Sequence, residues 1–308
     1  MTPPSPKNGI KIWLFPVLRI VLFFVLMKLL EYGILYCEFT FFSDWTKSWV
    51  SEPSSLVPRI DNALAVVAAY VFMVAVVDRR DWSTSGLTPE GVGLETTVGF
   101  ALGAVLISLV IGCTALLGAY HVAGQNAHAD LFSSSIFLLL AAVSEEIAFR
   151  GYVFQTLEKS WGTFAAVMTG SILFGFYHML GPSHVPMMER LCGCLCLIVE
   201  SGLLYNGAYL LRRRLWLPIG MHWAWNYLQG PIYGLAVSGL VFWTPFFKAT
   251  SVGPDLITGG KWGPEAGVPA FVIRTAFAII LLLMAYRSGE FLKAGAASNM
   301  RLRSSRSR

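Results

Sequence analysis

The sequence has 308 residues, of which 55% are hydrophobic and only 13% are charged, and its mean hydropathy is +0.60. Soluble globular domains carry roughly 25% charged residues, so this composition excludes an ordinary soluble protein. The formal net charge of +5 is compatible either with a surface for nucleic acid or with the charge bias of a membrane protein.

Eight apolar runs approach or exceed the roughly 20 residues that a helix needs to cross a bilayer. They predict an all-α fold, a polytopic transmembrane bundle of about eight helices forming one domain at 12–287. A disordered cytoplasmic N-terminus at 1–11 precedes this domain, and a basic cytoplasmic tail at 288–308 follows it. The runs are 12–36, 63–77, 98–120, 132–157, 161–180, 191–211, 215–239 and 270–286.

Lysine and arginine in the loops predict the orientation of this bundle. With eight spans and the N-terminus inside, fourteen of these basic residues fall in inner segments and five in outer loops. Cytoplasmic loops carry such an excess, so both termini are predicted to be cytoplasmic. The excess also accounts for the net charge, so no nucleic-acid partner is expected. We expect a multi-pass protein in contact with the bilayer, located in the plasma membrane.

Charged side chains inside the first run, Arg19, Lys28 and Glu31, are interpreted as snorkelling to the interface or paired with each other. Lys28 and Glu31 are spaced i,i+3, which places them side by side on a helix.

The fourth run contains an unusual polar group, Glu145, Glu146 and Arg150. An ionisable side chain within a membrane span costs several kcal/mol unless it is paired or faces a cavity, and it therefore suggests a functional site. Arg150 lies four residues after Glu146 on the same helix face, so the two are predicted to form an ion pair. Glu145 points about 100° away and is left for another role.

Two later runs contribute histidines. His178 ends the segment that begins at Phe174, and His222 is followed on the same helix face by Asn226. Burying these groups against one another is the economical way to keep them out of lipid. The sixth run also contains Glu200, which is a candidate for the same cavity.

The cysteines Cys192, Cys194 and Cys196 resemble a metal motif at first sight. On a helix, residues two apart point about 200° apart, so their thiols cannot converge on one ion. We interpret them as small residues of a membrane helix.

Together these groups form a hydrolytic set. Glu145, with His178, could hold and deprotonate a water molecule, while His222 and Asn226 could donate hydrogen bonds to the developing oxyanion. Glu146 and Arg150 would orient the others. An alternative is zinc held by Glu145, His178 and His222 with water at the fourth position. There is no H-E-x-x-H motif, and the mechanism without a metal or other cofactor is favoured.

The motifs Glu145-Glu146-x-x-x-Arg150, Phe174-x-x-x-His178 and His222-x-x-x-Asn226, in this order on successive spans, resemble those of the CAAX protease and bacteriocin-processing family. This family includes type II CAAX prenyl proteases and bacterial abortive-infection proteins. The resemblance covers residues 132–228, the family core. It implies an intramembrane endopeptidase that uses these six polar residues on a membrane or lipid-anchored protein or peptide. Family members are also described as metalloproteases, so the resemblance leaves the metal open.

Two other functions remain open from the sequence. A proton-coupled transporter could use an acid–histidine relay, but transporters usually contain internal repeats, and the polar residues cluster between 145 and 226 without a counterpart in the first half. A non-catalytic immunity or scaffold protein would not need the full polar set.

Overall fold

The computed structural model describes residues 6–50 and 55–294, without the side chains of 6–13, 45, 49 and 50. Residues 1–5 and 295–308, which hold most of the predicted basic tail and part of the predicted N-terminal segment, lie outside the described residues. The first helix already begins at Pro6, earlier than the apolar run predicts.

Within these ranges the chain forms twelve α-helices and two short strands. Four π-helical segments continue or connect them: Met73–Val77 after α3, Ile147–Phe154 between α5 and α6, Ile198–Gly202 between α8 and α9, and Leu228–Ile232 after α10. The helices and strands are α1 Pro6–Phe41, α2 Ser43–Val50, α3 Leu56–Phe72, α4 Val92–Leu116, β1 Tyr120–Gln125, α5 Leu131–Glu146, α6 Gln155–Trp161, α7 Thr163–Tyr177, α8 Met187–Leu197, α9 Leu203–Arg212, α10 Trp216–Tyr227, β2 Phe247–Ser251, α11 Asp255–Thr258 and α12 Val268–Arg287.

Six helices in the described part of the chain are long and apolar enough to cross a membrane, which makes this a multi-pass integral membrane protein. They are Leu56–Val77, Val92–Leu116, Leu131–Trp161, Thr163–Leu180, Met187–Arg212 and Val268–Arg287. The predicted count of about eight is not confirmed. The first run lies in α1, the first residues of which have no described side chains, and the seventh run is helical only over 216–232, so cytoplasmic termini remain a prediction.

Two boundaries differ from the prediction for local reasons. The run at 98–120 ends as a helix at Leu116, because Gly118 adopts a left-handed conformation with φ of 71° and the chain continues into β1. β1 pairs antiparallel with β2, so the all-α prediction holds for the spans but not for the loops. In the seventh run, Gly230 and Pro231 lie in the final turn before the helix ends.

Helix α10, which bears two of the predicted site residues, packs closely against α4 through glycines. A Cβ atom at Gly99 would lie 2.3 Å from the carbonyl oxygen of Leu217, and one at Gly103 would lie 2.3 Å from that of Met221. Small residues spaced four apart let membrane helices approach to backbone contact. These contacts therefore fix the position of the part of α10 that carries His222.

The apolar side chains form two main clusters, which meet at the polar residues. One cluster is centred on α1, α3, the π-helical segment Ile147–Phe154, α6 and α7 and includes Phe149 and Phe174. The other is centred on α4, α9, α10 and α12, of which the last three also contribute to the first cluster, and it includes Tyr205 and Trp225. The Arg150 guanidinium contacts rings of both clusters. The polar site thus lies where the two clusters meet.

The charges of the first run are paired. Lys28 Nζ lies 2.7 Å from Glu31 Oε2, as the spacing predicts. Arg19 Nη1 forms an ion pair with Asp78 Oδ1 at 2.9 Å, which ties α1 to the end of the α3 span.

Candidate active site

Glu146, the last residue of α5, has a side chain that is 0% exposed. Its Oε1 atom accepts a hydrogen bond from Arg150 Nη1 at 3.1 Å, which is the ion pair that the i,i+4 spacing predicts. The same oxygen lies 2.8 Å from His222 Nδ1. The sequence predicts that Glu146 orients other site residues but does not indicate which one. The geometry identifies that residue as His222.

Arg150 connects three parts of the bundle. Its Nε atom donates to Asn206 Oδ1 at 3.3 Å and its Nη2 atom to the Ser201 carbonyl at 3.2 Å. Its guanidinium lies 4.3 Å from the centre of the Phe174 ring. Arg150 sits in the π-helical segment that follows Glu146, and such segments are frequent at functional sites. Glu146, Asn206 and the Ser201 carbonyl thus accept hydrogen bonds from its guanidinium.

Glu145 points toward both histidines, unlike its neighbour. Its Oε2 atom lies 3.8 Å from His178 Nε2 and 3.8 Å from His222 Nε2. This oxygen is buried and has no hydrogen-bond partner among the residues that the structure describes. An unpaired buried carboxylate oxygen between two imidazoles is a costly arrangement, and a small polar molecule could satisfy it.

His178 follows directly after α7, at the start of a short 3₁₀ turn. Its Nδ1 atom lies 3.0 Å from the Phe174 carbonyl oxygen. Because a carbonyl only accepts, Nδ1 is the donor, and in the neutral ring the Nε2 atom that faces Glu145 is an acceptor.

His222 is fixed by two different contacts. Its Nδ1 atom bonds Glu146, and its ring stacks on Tyr205 with 4.9 Å between centroids and 15° between planes. Asn226 lies one turn further along α10, and both side chains border the same cavity. The i,i+4 spacing of these two residues thus directs them to a common space.

A cavity of about 480 Å³ lies in front of these groups. Glu145, His178, His222 and Asn226 line it, whereas Glu146 and Arg150 lie behind its wall. The structure therefore brings together all six predicted residues, four at the cavity and two supporting them. Other lining residues include Lys28, Arg59, Phe137, Leu138, Ala141, Phe174, Tyr177, Ser201, Tyr205, Val237, Ser238, Leu240, Glu265 and Arg274.

A second buried ion pair lies beside the site, and the sequence analysis missed most of it. Arg274 of α12 donates from Nη1 to Glu200 Oε1 at 3.0 Å, and both side chains are at most 1% exposed. Glu200, which the sequence suggests as a cavity residue, does not line the cavity, whereas Arg274 does. Arg274 could have been identified from the sequence, because it is a basic residue in the eighth apolar run. Burying a basic side chain in a membrane span costs free energy just as burying an acidic one does.

Arg59 also reaches the site, although the sequence placed it in an outer loop. It lies in the first turn of α3, lines the cavity, and its guanidinium is 4.4 Å from the centre of the Phe137 ring. The reason is that α3 begins at Leu56, seven residues before the predicted run.

Among the described residues, no three His, Cys, Asp or Glu side chains are arranged so that they could hold a metal ion. Glu145, His178 and His222, the ligands of the zinc alternative, do not form such a group. The three cysteines of α8 also diverge, since Cys192 is exposed and Cys194 is buried.

Comparison with protein families gives one match. Residues 126–228 match the family described as type II CAAX prenyl endopeptidase Rce1-like. No curated protein and no solved structure matches the chain. The matched segment contains all six predicted site residues, and the match confirms the resemblance to the CAAX protease and bacteriocin-processing family. It supports a membrane protease, and it adds no support for the abortive-infection relatives or for metal dependence.

Proposed function

We propose that this chain, whose residues 126–228 match the type II CAAX prenyl endopeptidase family, is an intramembrane endopeptidase that uses Glu145 and His178 to activate water. The observation that carries the proposal is the buried Oε2 atom of Glu145, which has no hydrogen-bond partner among the described residues. It lies 3.8 Å from the Nε2 atoms of both histidines at the wall of the cavity.

The distance between Glu145 and His178 suits a shared water molecule. Both facing atoms are acceptors, so a water can donate one hydrogen to each, and an oxygen about 2.8 Å from both atoms is compatible with their 3.8 Å separation. The lone pairs of that water then point into the cavity, toward a peptide carbonyl. Glu145 takes the proton as water attacks, and it returns the proton to the leaving amine.

His222 and Asn226 would stabilise the oxyanion. The Asn226 amide can donate directly. Because His222 Nδ1 is already bonded to Glu146, donation from Nε2 requires a proton on each ring nitrogen, and His222 is proposed to carry both protons throughout the reaction. Each well-placed donor contributes about 3–4 kcal/mol to transition-state stabilisation.

The proposed substrate is a membrane or lipid-anchored protein or peptide. The site residues lie on helices of a membrane bundle, so the scissile bond has to reach the cavity from the bilayer or its surface. We place the protein in the plasma membrane. The family's name includes prenylated CAAX substrates, and for this chain a lipid-anchored peptide is the corresponding proposal.

Hydrolysis of a reporter-peptide library by the purified protein in liposomes tests the function. Wild type is compared with Glu145→Ala and His178→Ala, with folding checked by thermal unfolding. We expect cleavage by wild type and its loss in both variants. Equal cleavage by all three proteins would refute the mechanism, and absence of cleavage by wild type would favour an immunity or scaffold role. Treatment with 1,10-phenanthroline followed by zinc decides between the metal-free and the zinc-dependent reaction.

A further inference from the structure

A chain of contacts leads from the second buried ion pair to His222. Arg274 Nη2 donates to the Tyr205 hydroxyl at 3.3 Å, and the Tyr205 ring stacks on the His222 imidazole. The same guanidinium lies 3.9 Å from the centre of the Trp225 ring, three residues after His222 on α10. Arg274 therefore contacts the ring that stacks on His222 and a second aromatic ring, from the helix that carries the histidine.

A hydrogen bond alone does not fix the direction of an imidazole. The bond from His222 Nδ1 to Glu146 leaves the ring free to rock about that contact. The stack on Tyr205 sets the plane of the ring, and the plane sets where Nε2 points. The far end of the Tyr205 ring is in turn held by Arg274.

Arg274 is itself held in one orientation. Besides Glu200, it donates to the Ser201 hydroxyl, and Trp225, under the guanidinium, donates from Nε1 to Glu265 Oε1 at 3.2 Å. Planar guanidinium groups form such hydrogen bonds at fixed angles. All these side chains are buried, so few alternative orientations are available.

Stability alone is a weak explanation for this pair. A buried ion pair is often no more stabilising than apolar residues of similar volume, since removing both charges from water costs as much as their attraction returns. The pair supplies hydrogen bonds with a defined direction, which apolar side chains cannot provide. Arg274 lies outside the segment matched by the family, so it is an addition to the six motif residues.

We infer that Arg274, oriented by Glu200, is a positioning residue that holds Tyr205 against His222 and so directs His222 Nε2 into the cavity. The inference rests on the proposed function insofar as it gives His222 Nε2 a role in the reaction. It assigns no contact with substrate to Arg274 or Tyr205.

The test compares kcat and KM of liposome-embedded variants. Tyr205→Leu removes the stacking ring, and the double variant Glu200→Gln/Arg274→Met removes the hold on that ring together with the charge of its acid partner. Glu265 nearby keeps its hydrogen bonds from Trp225 and Ser238. Tyr209→Leu is the matched control, because it removes a buried tyrosine of the same helix that packs on Phe154 instead. A misplacement near 1 Å can cost about 100-fold in rate.

We expect kcat to fall about 10- to 100-fold in Tyr205→Leu and in the double variant, with KM little changed, and to stay within about threefold in Tyr209→Leu. Adding Glu200→Gln/Arg274→Met to Tyr205→Leu should lower kcat no further, since residues that act through one another are not additive. An unchanged kcat in the double variant, with only a lower unfolding temperature, would overturn the inference in favour of a simple brace.

A second readout does not depend on activity. With ¹³C-labelled histidine, the His222 ring proton, assigned with His222→Asn, should carry a ring-current shift from Tyr205. The double variant keeps Tyr205, so loss of this shift means that the ring has moved, as we expect. A retained shift overturns the inference. If wild type does not cleave, the proposed function fails, while this measurement still decides the positioning of His222.

Discussion

Glu146 and His222, 76 residues apart in the sequence, are joined by a hydrogen bond of 2.8 Å between Oε1 and Nδ1. The bond places the first glutamate–arginine pair and the last histidine in one buried unit. The two adjacent glutamates also differ in position. Glu146 bonds His222 on the side away from the cavity, whereas Glu145 faces the same histidine at the cavity wall.

This difference predicts that the Glu145→Gln variant folds normally but does not hydrolyse the reporter peptide. Loss of a general base lowers kcat by about 10²- to 10⁴-fold. The Oε2 atom has no hydrogen-bond partner in the described residues, so the neutral amide should cost little stability. Hydrolysis rates and unfolding curves in mixed micelles measure the two effects. Retained activity would contradict the role of Glu145.

Glu146→Leu, in contrast, should be much less stable than wild type. The substitution leaves the fully buried Arg150 without its acid, and breaking a buried pair costs about 3–5 kcal/mol. The double variant Glu146→Leu/Arg150→Met should recover most of that stability. It should stay slow, because His222 Nδ1 still lacks its acceptor. Full activity of the double variant would show that the bond to His222 is dispensable.

The polar residues of the site could be predicted because lipid penalises each of them separately. Glu145, Glu146, His178 and His222 were visible as ionisable groups in apolar runs, and helical spacing paired Glu146 with Arg150. That reasoning needs only local sequence and the cost of burial.

The contacts between distant segments could not be predicted in this way. Nothing in the local sequence of Tyr205 indicates that it stacks on His222, or that Arg274 reaches its hydroxyl, because both contacts depend on how α9, α10 and α12 pack. The pairing of β1 with β2, which six helices separate in the sequence, is equally invisible to hydrophobic periodicity.

Asn226→Ala should lower kcat with little effect on KM. The amide is predicted to bind the oxyanion, which forms only in the transition state, and loss of one such donor costs about 10²- to 10³-fold. The control is Gln229→Ala, one turn further on, whose Nε2 atom bonds the Ala236 carbonyl and which is absent from the cavity wall. A greater loss of activity in the control would contradict the assignment.

Chelation should leave the activity unchanged. No three potential ligands in the described part of the chain are arranged to hold a metal ion, and the proposed steps use side chains and water only. The assay is hydrolysis before and after 1,10-phenanthroline, with a known zinc protease treated in parallel. Loss of activity that zinc restores would instead support the zinc-dependent alternative.

The close packing of α4 against α10 predicts that a substitution in α4, away from the site, changes the position of His222. In Gly103→Ala the new Cβ atom would meet the Met221 carbonyl oxygen at 2.3 Å, so α10 has to shift, and Met221 is the neighbour of His222. Even a 1 Å displacement can lower the rate by about 100-fold. Gly112→Ala is the control on the same helix, because its Cβ atom meets nothing within 4 Å and alanine favours a helix by about 0.5–1 kcal/mol. We expect Gly103→Ala to be slow and less stable, and Gly112→Ala to be as active as wild type and slightly more stable. If the two variants hydrolyse the reporter equally fast, the position of α10 does not control the direction of His222.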